Sequence, residues 1–171
     1  MQKRISWDEL CIAGTVLYGL RSTCMNYKIG AVFFNPNKKL ILCGGYNGAP
    51  SGSEHCLDTE CFKKKNGISV SSGSGQCAGT HAEINAIGNA AKHGINISNS
   101  VIYCSYSPCW ACAKQLVNLG ITEFVYRFCY HDDYIRVSNL FNESGINIRS
   151  ISINGIVART IYEALHEEMK F

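Results

Sequence analysis

The chain has 171 residues, of which 46% are hydrophobic, so it can bury the core of one ordinary domain. Its net charge of +3 is modest and its basic residues are scattered, which argues against nucleic acid as a partner. Asp8 and Glu9 interrupt the first apolar stretch, and no run approaches the roughly 18 apolar residues of a bilayer span, so we expect a soluble, cytoplasmic protein without a membrane partner.

The first elements in the chain are predicted to be a helix and a hairpin. Ser6 and Glu9 have the spacing of a capping box, and apolar residues then recur at helical spacing until near Ser22. Residues 29–34 and 40–46 flank the turn-rich sequence "NPNKK", which predicts two antiparallel strands.

An irregular insertion is predicted at about residues 47–80. It is rich in Gly and Ser and has no sustained period, and we expect its lysine run at residues 63–65 to be a solvated loop. Thr80 and Glu83 repeat the capping-box spacing, which predicts that a second helix begins there and ends at Gly94.

Strands and helices alternate in the second half of the chain. Residues 100–105 and 122–128 are predicted strands, and Pro108 and Gly120 are predicted to open and close the helix between them. A helix at 132–144, a strand at 145–153 and a terminal helix at about 155–170 follow. This alternation predicts a single domain with an α/β fold, a three-layer α/β/α sandwich whose sheet is largely parallel beyond the hairpin.

Two short motifs carry the chemistry. His81 and Glu83 open one predicted helix, and Cys109 and Cys112 open another after Pro108. One imidazole and two thiolates supply three ligands of a catalytic zinc and leave a fourth position for water, with Glu83 placed to move protons. Alone, the cysteines would also suit a redox pair or a structural clip.

The motifs "RSTCMNYKIGAV", "GGYNGAPSG", "HAEINAI", "SPCWACAKQLVNLGI" and "VYRFCYHDD" resemble the zinc-dependent cytidine deaminase superfamily, and within it the deoxycytidylate (dCMP) deaminases. The combination H-x-E with P-C-x-x-C is the signature of zinc-dependent base deaminases. The resemblance covers about residues 7–148 and implies a five-stranded mixed sheet between helices. It also implies hydrolytic deamination of dCMP to dUMP and ammonia, with Glu83 as both general base and general acid.

The resemblance further implies a set of substrate contacts. Asn26 matches a polar residue that faces the sugar, Ala82 offers its backbone to the ring, and Tyr130 matches an aromatic residue that lies against the substrate. By their residue types alone, Asn26 would also suit a turn after a helix, and Tyr130 would also suit ordinary packing.

The segment "GYNGAP" resembles the loop that binds a nucleotide triphosphate in regulated dCMP deaminases. By this resemblance Tyr46, Asn47 and Gly48 belong to an allosteric site at which dCTP activates and dTTP inhibits, with Mg²⁺ accompanying the triphosphate. Lys92 matches a position that is basic in some relatives and would reach a phosphate across a subunit contact. A plain turn and a solvated lysine are the alternatives. Regulated members are homohexamers, so we expect a homohexamer here.

A second, structural zinc is predicted in the insertion, because a segment with so little core needs another source of folding energy. Its expected ligands are Cys24, His55, Cys61 and Cys77, of which the resemblance supports the first two, and Cys56 is an alternative ligand. The alternative is that these are ordinary thiols. The remaining cysteines have the pattern of core residues, namely Cys11, Cys43, Cys104 and Cys129.

Two further functions compete with dCMP deamination. The same zinc site serves deaminases that act on dCTP, on tRNA or on single-stranded DNA, and the weak basic character argues against the nucleic-acid substrates. A non-catalytic zinc module is the third hypothesis. It would need a fourth protein ligand and would have no use for the carboxylate of Glu83.

Overall fold

The computed structural model describes residues 4–70, 76–130 and 132–153, together with residues 155, 158, 159, 162 and 163. It contains the helices α1 (Trp7–Leu20), α2 (Phe62–Lys65), α3 (Ala82–Lys92), α4 (Trp110–Asn118) and α5 (Tyr134–Glu143). The strands are β1 (Gly30–Asn35), β2 (Leu40–Tyr46), β3 (Val101–Tyr106), β4 (Glu123–Phe128) and β5 (Asn147–Ser150).

The five strands form one mixed sheet in the order β2-β1-β3-β4-β5. The β1–β2 hairpin and the β1–β3 pair are antiparallel, whereas β3, β4 and β5 run parallel to one another. The predicted α/β fold with a five-stranded mixed sheet is therefore confirmed.

Alternate residues of the central strands enter two separate cores, as the two-residue period of a strand requires. On one face, Phe33, Ile102 and Phe124 pack in a cluster with residues of α3, α4 and α5. On the other face, Phe34 and Val125 pack in a cluster with residues of α1. The sheet is thus covered by helices on both faces, which gives the predicted three layers.

The helix boundaries agree with their capping signals at three places. Ser6 and Glu9 form both hydrogen bonds of the predicted capping box at the start of α1. Gly94 and Gly120 follow the ends of α3 and α4 with φ of +64° and +67°, a conformation that glycine adopts without strain.

The predicted starts of α3 and α4 were wrong. His81 and not Thr80 occupies the N-cap position of α3, and Cys109 occupies the N-cap position of α4, so that Pro108 precedes the helix instead of opening it. Neither of these two side chains makes a capping hydrogen bond with its own helix, because both point toward each other.

The lysine run lies in the short helix α2, so the prediction of a solvated loop was wrong about the loop and about Lys63 but right about the exposure of Lys64 and Lys65. Lys63 is only 6% exposed, whereas Lys64 and Lys65 face solvent. The turn is closed by the Ile68 N–H, which donates to the Lys63 carbonyl over 2.8 Å and so fixes the backbone from which Lys63 points inward.

The predicted terminal helix at 155–170 lies largely outside the described residues, although the five residues described there are helical. In the part of the chain that the structure describes, the helices lack the combined length and apolarity that a bilayer crossing requires.

Candidate active site

Three zinc-ligand side chains meet where α3 and α4 begin. The Nδ1 atom of His81 lies 3.5 Å from Sγ of Cys109 and 3.4 Å from Sγ of Cys112. Zinc–ligand bonds of about 2.0–2.3 Å in a tetrahedron place neighbouring ligand atoms about 3.3–3.8 Å apart, so these separations fit a bound zinc. Among the described residues, this is the only group of three or more His, Cys, Asp or Glu side chains whose ligand atoms lie within 4.8 Å of one another.

The electrostatics of the cluster favour thiolate at one cysteine. The hydrogen bond donated by Cys112 is the main cause that lowers the pKa of Cys109 to about 3, and His81 contributes to the same shift. The same hydrogen bond raises the pKa of Cys112. Because thiolate is the form that binds metal, the protein already holds one ligand in the required state.

Glu83 lies beside this cluster and is 4% exposed. Burial raises the pKa of its carboxyl above the ordinary value, while the positive charge of the nearby His81 acts in the opposite direction. A buried carboxyl with a raised pKa is well suited to exchange protons near neutral pH.

The cluster opens into a cavity of about 400 Å³, within the size range of small-molecule sites. The predicted substrate-contacting residues Asn26, Ala82 and Tyr130 all line it. Ala82 is fully buried, and the Tyr130 N–H is fixed by a 2.6 Å hydrogen bond that it donates to Ser107 Oγ.

Asn26 makes hydrogen bonds to two cysteine sulfurs that the sequence analysis did not predict. Its Nδ2 donates to Sγ of Cys61 over 3.3 Å, and its backbone N–H donates to Sγ of Cys24 over 3.4 Å. The wall of the cavity that carries Asn26 is therefore joined to the cysteines of the insertion.

The predicted allosteric residues do not gather at one place. Asn47 and Gly48 line the same cavity as His81, Tyr46 precedes them at the end of β2, and Lys92 is exposed at the far end of α3. An 11-residue helix is about 16 Å long, which separates Lys92 from the start of the helix by that distance.

The side chain of Asn47 connects two backbone segments. Its Oδ1 accepts from the Ile29 N–H over 2.9 Å, and its Nδ2 donates to the Tyr27 carbonyl over 3.0 Å. Gly48 is paired with Thr80 by two backbone hydrogen bonds of 3.1 and 2.7 Å. The Asn47 bonds hold the loop after β2 against residues 27–29, and the Gly48–Thr80 pair holds it against the segment that leads into His81.

No three of the residues predicted to bind a second zinc have their ligand atoms within 4.8 Å of one another in the described structure, although the cysteines among them lie along the cavity. Four of them line it: Cys24, Cys56, Cys61 and Cys77. Their sulfurs accept hydrogen bonds from N–H groups, as in the 3.4 Å contact from Gly79 to Cys77, and backbone N–H groups of α2 are the main cause that lowers the pKa of Cys61. His55 Nδ1 is buried without a hydrogen-bond partner in the described structure.

Sequence reasoning missed two residues of this site. Asp133 Oδ2 accepts a 3.0 Å hydrogen bond from the Trp110 N–H and so caps α4 in place of Cys109. Lys63 lines the cavity from α2. The two consecutive aspartates after β4 could have indicated a helix cap at Asp133. Nothing in the local sequence distinguishes Lys63 from Lys64 and Lys65.

The fold and the cluster agree with what the chain resembles. A family model for the cytidine and deoxycytidylate deaminase zinc-binding region matches residues 5–128. The chain belongs to this family. The match contains His81, Glu83, Cys109 and Cys112.

Relatives of known name extend the comparison. ComE operon protein 2 of Bacillus subtilis is 32% identical over 159 residues, which cover 91% of this chain and 76% of that protein. The deoxycytidylate deaminase of Schizosaccharomyces pombe is 31% identical over 146 residues, 85% of this chain but only 44% of the yeast protein. The crystal structure of the dCMP deaminase from cyanophage S-TIM5, in complex with dCMP and dUMP, is similar with a TM-score of 0.70 at 26% identity over 88% of this chain and 100% of that one.

Proposed function

We propose that the protein hydrolyses dCMP to dUMP and ammonia. The observation that carries this proposal is the buried carboxyl of Glu83 beside a His/Cys/Cys cluster, at the base of a cavity of nucleotide size. Membership of the deaminase family and the names of the yeast and cyanophage relatives support the choice of substrate.

His81, Cys109 and Cys112 would hold the zinc, which supplies a Lewis acid that makes water nucleophilic near neutral pH. Glu83 takes one proton from the attacking water and delivers it to N3 of the cytosine ring. It then takes the second proton from the hydroxyl now bound to C4 and passes it to the amine, so that the C4–N bond breaks, ammonia leaves and the C4 carbonyl forms. Burial keeps bulk water away from this carboxyl, so that one group can serve as base and then as acid.

The cavity walls orient the nucleotide for this chemistry. In this proposal Ala82 presents its backbone to the ring, Tyr130 lies against the base and Asn26 faces the sugar, and the position of all three in the cavity lining supports these roles. Hydrolysis at C4 requires the ring to be held against the carboxyl of Glu83, and these contacts supply that orientation.

The test is ammonia release from dCMP by the zinc-loaded protein and by its Glu83→Gln variant. We expect the variant to keep one equivalent of catalytic zinc and to lose at least about 10⁴-fold in kcat, since two proton transfers depend on one carboxyl. Glu60→Gln, at an exposed glutamate of the insertion, is the matched control and should match the wild type. Turnover of dCTP or of single-stranded DNA in place of dCMP would refute the proposed substrate.

A second, structural zinc in the insertion is part of the proposal, and Cys24, His55, Cys61 and Cys77 are its ligands, with Cys56 as the substitute. The unpartnered Nδ1 of His55 and the N–H groups that donate to the cysteine sulfurs support a metal at this place. Metal analysis should give two zinc ions per chain, and His55→Ala should reduce this to one. A count of one in the wild type would overturn this part of the proposal.

Regulation and assembly are also proposed. In a homohexamer activated by dCTP and inhibited by dTTP, Tyr46, Asn47 and Gly48 would contact the effector triphosphate with its Mg²⁺, and Lys92 would reach its phosphates across a subunit contact. The bonds of Asn47 to residues 27 and 29 couple this loop to the cavity wall. The rate of ammonia release from dCMP with dCTP, with dTTP and with neither tests the regulation, and identical rates would refute it. The molar mass by light scattering tests the homohexamer.

We place the reaction in the cytoplasm. None of the ten cysteines forms a disulfide bond, which is the state that a reducing compartment maintains. Cell fractionation with an antibody against the protein is the direct test, and recovery from an oxidising compartment would contradict the assignment.

A further inference from the structure

Ser107 is a buried serine that joins the cavity wall to the segment leading into Cys109. Only 4% of it is exposed, and it lies two residues before Cys109 in the chain. Its Oγ accepts the 2.6 Å hydrogen bond from the Tyr130 N–H and donates to Sγ of Cys129 over 4.0 Å. A hydroxyl has one donor hydrogen and two acceptor lone pairs, so a single Ser107 side chain can make both contacts.

These contacts begin where the sheet ends. β3 and β4 pair in parallel as far as Tyr106 and Phe128, and the Ser107 N–H donates to the Phe128 carbonyl over 2.8 Å. Past this point the chain after β3 turns into α4, whereas the chain after β4 leads into α5. The Ser107 hydroxyl therefore carries the connection between the two segments two residues past Phe128, to Tyr130.

A second hydrogen bond joins the same two segments. Asp133 Oδ2 accepts from the Trp110 N–H over 3.0 Å. Ser107 precedes Cys109 by two residues and Trp110 follows it by one, so two separate bonds attach the chain after β4 to the surroundings of Cys109. Of these two bonds, the one to Ser107 acts directly on Tyr130.

The position of Tyr130 matters for the proposed reaction. Tyr130 lines the cavity together with Ala82 and Glu83, and under the proposed function it lies against the base. A reacting group that is misplaced by about 1 Å can lose about a hundredfold in rate. Because the Ser107 hydroxyl is buried, water does not compete strongly for its bond to Tyr130, and this bond limits how far Tyr130 can move.

We propose that Ser107 is a positioning residue, which holds Tyr130 in place so that the substrate base is aligned with Glu83. This inference rests on the proposed function, because it assumes that Tyr130 contacts the base. The Ser107 hydroxyl acts through Tyr130 and not through the zinc ligands. It has this role although it lies outside the residues that hold the metal and move the protons.

The experiment is a double-mutant cycle that combines Ser107→Ala with Tyr130→Ala in the zinc-loaded protein. The dissociation constant for dUMP is measured by calorimetry, and kcat and KM for dCMP are measured by ammonia release. Ser105→Ala is the matched control, because Ser105 is also buried but its Oγ bonds to the backbone of Gly30 in β1. Zinc content and urea denaturation are measured for every variant.

Ser107→Ala should lower kcat/KM for dCMP by about tenfold to a hundredfold, with a larger change in kcat than in KM, because alignment matters most in the transition state. Binding of dUMP should weaken by about fivefold, and the zinc content should equal that of the wild type. Ser105→Ala also loses a buried hydroxyl, so it should unfold at a lower urea concentration while its kcat/KM stays within about twofold of the wild type.

The double variant decides whether Ser107 acts through Tyr130. In the Tyr130→Ala background, Ser107→Ala should change kcat/KM and the dUMP dissociation constant by less than about twofold, because two residues that act through one contact are not additive. The inference is overturned if Ser107→Ala costs as much in this background as in the wild type, since the hydroxyl would then act on the zinc site or on the fold. It is also overturned if Ser107→Ala alone is as active as the wild type.

Amide hydrogen exchange of the wild type covers the case in which Ser107→Ala does not fold. The Tyr130 N–H should exchange at least about a hundredfold more slowly than in an unstructured peptide, and more slowly still with dUMP bound. Fast exchange of this amide, or exchange that does not respond to dUMP, would refute the inference. The proposed function has a separate test, since it fails if the wild type releases no ammonia from dCMP, whereas the dUMP measurements decide the role of Ser107 in either case.

Discussion

Gly45 of β2 lies directly against the backbone of α3, so Gly45→Ala should lower both the stability of the fold and the affinity for zinc at the His81 cluster. A Cβ atom at residue 45 would lie 2.4 Å from the Ala86 nitrogen and 2.7 Å from the Ala82 carbonyl oxygen. Both of these atoms are backbone atoms of α3, so no side chain can move aside to make room. β2 and α3 would have to separate by about 1 Å to restore an ordinary contact.

The cost of this separation follows from the contacts that it disturbs. Overpacking a buried site costs about 1–3 kcal/mol. Two side chains of α3 also bond to β2, with Asn85 Nδ2 donating to the Tyr46 carbonyl over 2.7 Å and Asn89 Nδ2 to the Gly44 carbonyl over 2.9 Å. If both bonds weaken, each adds about 1 kcal/mol, for a total of about 3–5 kcal/mol. Zinc affinity should fall as well, because α3 positions His81 and Glu83.

Urea denaturation and zinc titration against a chelating dye measure the two effects. Gly88→Ala is the control on the same helix, because no described heavy atom lies within 4 Å of a Cβ built there. It should stabilise the protein by about 1 kcal/mol through helix propensity. A Gly45→Ala protein as stable as the wild type would refute the close contact between β2 and α3.

Two further predictions concern side chains that the structure ties to distant elements. Asp133→Ala removes the cap of α4, so the free energy of unfolding should fall by about 1 kcal/mol and zinc should bind more weakly. Asp132→Ala, at the exposed neighbour, should change neither quantity. If the two variants behave alike in urea denaturation and zinc titration, the cap is contradicted. Burial opposes ionisation of Asp8, but hydrogen bonds from Arg149 and Tyr103 outweigh it and hold the pKa of Asp8 below its ordinary value of 3.8. The ionised Asp8 carboxylate therefore stabilises the fold above about pH 4, and this stabilisation is lost as the pH falls through the lowered pKa. Asp8→Asn should be about 1 kcal/mol less stable than the wild type at pH 7, and the difference should disappear in acid. A difference in stability that does not depend on pH would refute this.

Much of the fold could be predicted from the sequence, because local signals and burial periodicity agree along the chain. The capping box at Ser6 and the glycines at 94 and 120 mark real helix ends. Strand residues such as Phe33 and Phe34 face opposite cores, as their position between two helical layers requires. These features depend on neighbours within a few residues, which the sequence displays directly.

The errors at the helix starts have one physical cause. Capping rules assume that the cap side chain serves its own helix, but His81 and Cys109 turn toward each other instead. The sequence pattern at Thr80 was therefore a true helix signal read one residue too early. Asp133, which is 23 residues away from Trp110, supplies the cap that α4 would otherwise lack.

The sequence by itself identified His81, Glu83, Cys109 and Cys112 as the candidate site, since the H-x-E and P-C-x-x-C spacings bring these side chains to two helix starts. Only the tertiary structure decided which neighbouring groups complete the site. Lys63 and Lys65 are alike in sequence, yet one is buried in the cavity and the other is exposed. The bond between Asn26 and Cys61 spans 35 residues of chain. Such partners are set by how distant segments fold against each other, and no local pattern carries that information.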